Sequence, residues 1–170
     1  MRLSLSLIAA AVCMTSTAMA QGSASAQEGP LFGAWKIQCA AENNCQAYVN
    51  LVSAETNQLA LTASFHIVAG SERPTAVATI PLGVALKAGV QLRPAASSEP
   101  IMLEPEVCYP DGCRVVFTPT PEQLAAITAN PAYTISFFSY GVAEKRHSIS
   151  VPTDGLAQAL EHLRRKGARQ

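Results

Sequence analysis

The stretch Leu59-Ala60-Leu61-Thr62-Ala63-Ser64-Phe65-His66-Ile67 decides the fold class of this chain. Leu59, Leu61, Ala63, Phe65 and Ile67 alternate with Ala60, Thr62, Ser64 and His66. That is the two-residue period of a strand with one apolar and one polar face. Upstream, Trp35, Ile37 and Cys39 fall on one face, with Lys36 and Gln38 opposite. Further strands are expected over 46–52, 75–81, 89–93, 113–118, 132–138 and 146–151. Glu55-Thr56-Asn57, Ala69-Gly70-Ser71, Ser97-Ser98 and Gly141 separate them as turn signals. Short strands with a turn every ten or so residues predict an all-β domain, either a sandwich or a barrel.

Two helices interrupt the strands. Thr120-Pro121-Glu122-Gln123 offers a capping hydroxyl, a proline at the first helical position and a glutamine three residues after the cap. Asn130-Pro131 ends that helix, and Leu124 and Ile127 should face the core. A second helix starts near Thr153 or Asp154 and runs to about Lys166, with Leu156, Leu160 and Leu163 as its apolar stripe and Gly167 as its stop.

At 170 residues, with 49% hydrophobic and 14% charged residues, the chain is too apolar and too evenly charged to be intrinsically disordered. A formal net charge of zero excludes nucleic-acid binding by bulk positive charge. Residues 1–20 read as a secretory signal peptide: Arg2 at the start, an apolar stretch from Leu3 to Cys13, and Ala18-Met19-Ala20 before the cleavage point. That stretch is too short to span a bilayer of roughly 30 Å. Residues 21–30 read as a flexible leader and 31–170 as one domain, with no later transmembrane segment.

Removing Cys13 with the signal peptide leaves Cys39, Cys45, Cys108 and Cys113. Four cysteines in an exported chain predict two disulfides, with three connectivities open. Spacing favours the local pairs Cys39–Cys45 and Cys108–Cys113. The second pair brackets Tyr109-Pro110-Asp111-Gly112, a tight-turn sequence. The rival is a four-cysteine zinc site, but the spacings C-x5-C and C-x4-C are wide for zinc knuckles and the compartment oxidises thiols.

These residues fall into a familiar order. Trp35-x3-Cys39 is followed by Pro81-Leu82-Gly83-Val84, then by Cys108-x3-Gly112-Cys113. The chain closes on Gly155-Leu156-x2-Ala159-Leu160-x2-Leu163. In order and spacing the chain resembles the invasion-associated locus B family of exported bacterial proteins, over about residues 31–165. Leu156 departs from the phenylalanine the family tends to place there. The resemblance implies an immunoglobulin-like β-sandwich, a periplasmic or outer-surface location, no cofactor, and an association with host-cell invasion.

Catalytic motifs are absent: no G-x-S-x-G, H-E-x-x-H, P-loop or G-x-G-x-x-G occurs. His66 falls on the polar face of its strand and reads as a surface residue. His147 and Ser148 are strand neighbours and point to opposite faces. His162 reads as a favourable charge near a helix C-terminus. Glu104 and Glu106 read as surface acids. Trp35 reads as core and Phe137 as inward. Phe138 with Tyr140 is expected to form an exposed aromatic spot. Tyr109, Asp111 and Arg114, on and beside the disulfide-pinned turn, are the other contact candidates. A loop stiffened by a bridge loses less entropy on binding. Arg164, Arg165, Lys166 and Arg169 complement the last helix dipole, with Glu161 pairing Arg165. Their functional alternative is peripheral contact with an anionic envelope surface, at about 1 kcal/mol per base.

The residues therefore favour a non-enzymatic, envelope-associated binding module with no metal, whose partner is an envelope or host protein. The alternatives are a periplasmic quality-control or inhibitor protein that grips extended chains by an open sheet edge, and a hydrolase using His66 or His147 with a carboxylate from elsewhere.

Overall fold

In the computed structural model, which describes residues 27–41, 44–68, 71, 73–141 and 145–167, the alternation around Leu61 becomes the middle of a larger sheet. Eleven strands run in chain order: β1 Gln27–Phe32, β2 Trp35–Ala41, β3 Asn44–Val52, β4 Leu59–His66, β5 Thr75–Ile80, β6 Val90–Arg93, β7 Ile101–Leu103, β8 Pro105–Tyr109, β9 Gly112–Phe117, β10 Ala132–Phe138 and β11 Arg146–Pro152. Helix α1 spans Pro121–Thr128 and α2 spans Leu156–Gly167. A short 3₁₀ turn at Leu86–Ala88 precedes β6. The strands form a seven-stranded sheet in the order β1-β2-β3-β4-β5-β9-β8 and a four-stranded sheet in the order β11-β10-β6-β7. All their pairings are antiparallel. The architecture is a β-sandwich with one internal and one C-terminal helix, as the sequence predicts.

Register explains the core. Ala47 lies opposite both Ile37 and Phe65, and Phe65 lies opposite Ala76. Val49, Ala63, Ala78 and Val115 form the next row. All of these side chains are buried, and they meet Val90, Leu92, Tyr133, Ile135 and Phe137 from the smaller sheet. Trp35 is wholly buried, its ring 5.5 Å from Phe65. Its Nε1 donates to the Pro152 carbonyl at 3.0 Å, so the indole's one polar atom is satisfied. Truncation to alanine there is expected to cost about 3–5 kcal/mol.

Both helices form where their local signals place them. Thr120 accepts from the Gln123 backbone through Oγ1, and the Gln123 side chain accepts from the Thr120 N–H, completing a capping box. Ile127 is fully buried and Leu124 partly so. In α2, Leu156, Ala159, Leu160 and Leu163 are buried, and the helix packs against β1, β2 and β3. Gly155 makes the entry to α2 tight: its φ is +80°, and a Cβ there would lie 2.0 Å from the Phe32 carbonyl oxygen.

Three sequence expectations change. Residues 27–30 are not leader but the first part of β1, paired to β2 from Gln27↔Cys39 to Phe32↔Trp35. The Gln-Glu-Gly-Pro composition hid this, because the strand is specified by its partner rather than by alternation. The Pro- and Glu-rich run 100–109 also carries strands, β7 and β8. His66 is half-buried rather than solvated, and its neighbour Ser64 is buried. β4 has a strand on each side, so Tyr48 and Val77 lie directly opposite Ser64 and shield the nominally polar face. The expected signal peptide and residues 21–26 lie outside the described residues. Among the described residues no helix is long and apolar enough to cross a membrane.

Candidate functional site

The four cysteines pair locally. Cys39–Cys45 and Cys108–Cys113 are bonded, at separations of 6 and 5 residues. Each pair is directly opposed in an antiparallel ladder. With all four sulfurs bonded in pairs, the four-cysteine zinc alternative is closed. The register also separates the two bridges. Cys45 precedes Gln46, which lies opposite His66, and His66 lies opposite Thr75; Cys113 lies opposite Ile80, at the far end of β5. The bridges therefore sit at opposite ends of the larger sheet.

The β8–β9 hairpin gathers three of the predicted contact residues into one network. Tyr109 and Gly112 are opposed, which leaves Pro110 and Asp111 as the two central turn residues. Gly112 has φ +137°, and a Cβ there would stand 2.5 Å from the Ile80 carbonyl oxygen, so only glycine fits. Arg114 lies on β9 with its Nη2 donating to Asp111 Oδ2 at 2.7 Å. The same guanidinium sits 5.5 Å from the centre of the Tyr109 ring. Beside Arg114, the Asp111 carboxyl is held below its ordinary pKa, first by the side-chain hydrogen bond. Arg114 and Asp111 pair with each other, and the tip presents Tyr109, 53% exposed, beside the exposed Asp111 carboxylate.

Phe138 and Tyr140 do not form a matching aromatic spot. Tyr140 is 82% exposed, with its N–H donating to the Gly83 carbonyl at 2.8 Å. Phe138 is half-buried and lies opposite Arg146. Among the described residues the two aromatics make no ring contact. Sequence alternation places Phe138 on the face opposite the buried Phe137, but it does not show that Phe138 is half-buried.

A cleft of about 810 Å³ opens between the β3–β4 turn, the 81–84 segment and β11. Residues 145–150 line it in an unbroken run. Nothing in the local sequence marks this feature, because its walls lie up to about a hundred residues apart along the chain.

The histidines are held by structural contacts. His66 Nε2 lies 3.3 Å from Ser64 Oγ, and burial lowers its pKa below the ordinary 6.5. His147 stacks on Phe137 at 5.5 Å, and His162 packs against Phe32. Among the described residues neither His66 nor His147 forms an ion pair with a carboxylate. Glu104 and Glu106 are exposed. No group of three or more His, Cys, Asp or Glu side chains converges among the described residues. On α2, Glu161 pairs with Arg165 at 3.7 Å and with Arg164 at 3.8 Å; Arg169 lies outside the described residues.

Comparison with known proteins supports the same reading of the fold. No curated protein matches the sequence. Among solved structures, the crystal structure of invasion associated protein B from Bartonella henselae superposes with a TM-score of 0.72. It is 20% identical, and the match covers 80% of this chain and 95% of that one. The family model for invasion associated locus B (IalB) protein matches residues 35–164, which run from the buried tryptophan to the last turns of α2. This chain belongs to the invasion-associated locus B family.

Proposed function

We propose that this chain is an exported, non-enzymatic binding protein of the cell envelope, and that the β8–β9 hairpin is its contact surface. One observation carries the reading. The Cys108–Cys113 bridge and the Arg114 side chain hold the exposed Tyr109 in place before any partner arrives. Tyrosine is a frequent anchor of protein interfaces, and an anchor already ordered loses little entropy on binding. Export is supported by the signal-like residues 1–20 and by two disulfides, which persist in oxidising compartments. The partner in this reading is a protein of the envelope or of a host surface, in keeping with the name of the Bartonella relative. Peripheral attraction of α2 to an anionic surface is a weaker contribution, because Glu161 already faces two of its arginines.

The test is capture of envelope proteins by the oxidised, signal-free protein. Tyr109→Ala is expected to weaken every specific capture about tenfold or more, while a control substitution at Lys36, on the outer face of β2, leaves it unchanged. Capture unaffected by Tyr109→Ala would remove the hairpin from the account.

A further inference from the structure

The two disulfides differ in how a nucleophile reaches them. In thiol–disulfide exchange a thiolate approaches the attacked sulfur from the side away from the bond that breaks, so access behind each sulfur decides which bridge reacts. The second bond crosses from Cys113 on β9 to Cys108 on β8. Behind Cys113 lies β5, with Ile80 directly opposite, and Cys113 is only 2% exposed. Behind Cys108 there is no further strand of the larger sheet, since β8 is its outermost strand, and Cys108 is exposed. Its chain neighbours Val107 and Tyr109 point to the other face. A line drawn from Cys113 through Cys108 therefore leaves the sheet at its free edge. The first bond has no such exit. Gln27 of β1 lies opposite Cys39 on the far side of β2, and β4 lies beyond β3, its His66 opposite the Gln46 that follows Cys45. Cys39 and Cys45 are each 8% exposed.

From this asymmetry we infer that Cys108 Sγ is a thiol-exchange site: a C-x-x-C dithiol reductant opens Cys108–Cys113 in the folded protein and leaves Cys39–Cys45 closed. The reductant's first thiolate forms a bond to Cys108 Sγ and breaks the bond to Cys113 Sγ. Cys113 leaves as a thiolate and, buried beside apolar side chains, takes up a proton. The reductant's second thiol, once deprotonated, attacks the first and releases Cys108, which is protonated in turn. The reductant ends as a disulfide and the bridge as two thiols, a two-electron transfer. Exposed disulfides are the reducible and regulatory ones as a class. Reduction here unties β8 from β9 at the tip that carries Tyr109, while the bridge between β2 and β3 persists. The exchange itself does not depend on what the hairpin binds.

The experiment uses the oxidised, signal-free protein without denaturant. It is incubated with dithiothreitol, and freed thiols are alkylated and located by peptide mass spectrometry. Cys108 and Cys113 should be labelled about tenfold or more faster than Cys39 and Cys45. In urea the two pairs should react at similar rates, because both then close short loops in an unfolded chain. A thioredoxin-class reductase with its second cysteine replaced by serine should stop at the mixed disulfide, and fragmentation should place that link on Cys108. The inference is overturned by equal labelling of both pairs in the folded protein, by no labelling without urea, by a rate difference that survives in urea, or by a mixed disulfide on Cys113, Cys39 or Cys45.

Discussion

The β2–β3 and β8–β9 hairpins are each bridged by one disulfide between directly opposed residues, yet their surroundings differ. Cys39 and Cys45 are both buried and join two strands inside the larger sheet, beside Ile37 and Ala47. Cys113 is buried but Cys108 is exposed, because β8 is the sheet's outermost strand. The same bond therefore does two things. In the first hairpin it is part of the core. In the second it fastens an edge strand and holds up a tip on which Tyr109, Asp111 and Arg114 are already arranged. Chain-entropy arguments give both bridges about 2 kcal/mol, since both close short loops. What separates them is packing.

The largest expected effect is on stability. Cys39→Ala/Cys45→Ala should lose about 3–4 kcal/mol, the loop term plus two buried sulfurs. Cys108→Ala/Cys113→Ala should lose about 2–3 kcal/mol, since only one sulfur leaves the core. Urea unfolding of the two variants measures the gap directly. Next comes Gly112→Ala, which puts a Cβ against the Ile80 carbonyl at positive φ. It should cost about 1–3 kcal/mol in the same assay. No comparable glycine is described in the first turn.

Acid should discriminate between the two ends of the sheet. His66, opposite Gln46 beside the first bridge, has a folded pKa below 6.5. Its unfolded form binds a proton first, so stability should fall as pH drops below about 6.5, until the folded pKa is passed. His66→Gln should flatten that portion of the curve. Asp111, in the second hairpin, also has a depressed folded pKa, against an ordinary value of 3.8. Its contribution is present above 3.8 and is lost as pH falls through the folded value, so Asp111→Asn should alter only the acid end. Urea midpoints measured between neutral pH and pH 2 separate the two windows. The smallest stability effect belongs to Tyr109→Ala, within about 0.5–1 kcal/mol by equilibrium unfolding. A larger loss would make Tyr109 a structural residue rather than a contact.

Local signals were the legible ones. The alternation in β4, the Thr120 capping box, the leucine stripe of α2 and the short cysteine spacings each depend on residues a few positions apart, and each appears where the sequence put it. What stayed hidden depends on distant pairing. β1 alternates poorly and exists because β2 lies beside it. The shielding of Ser64 needs Tyr48 and Val77. At the candidate site, Tyr109, Asp111 and Arg114 were visible as separate residues of a pinned turn; their joining through one guanidinium was not. The cleft along β11 has no local signature, since an edge strand is defined by the partner it lacks.

Residue-resolved hydrogen exchange on the two disulfide variants asks most directly whether one bridge serves the core and the other serves a presented tip. Losing Cys39–Cys45 should lower protection across β2 to β5 and through α2, while losing Cys108–Cys113 should lower it only in β8, the turn and the start of β9. Equal, global loss in both variants, or loss confined to the first hairpin when its own bridge is removed, would contradict that division.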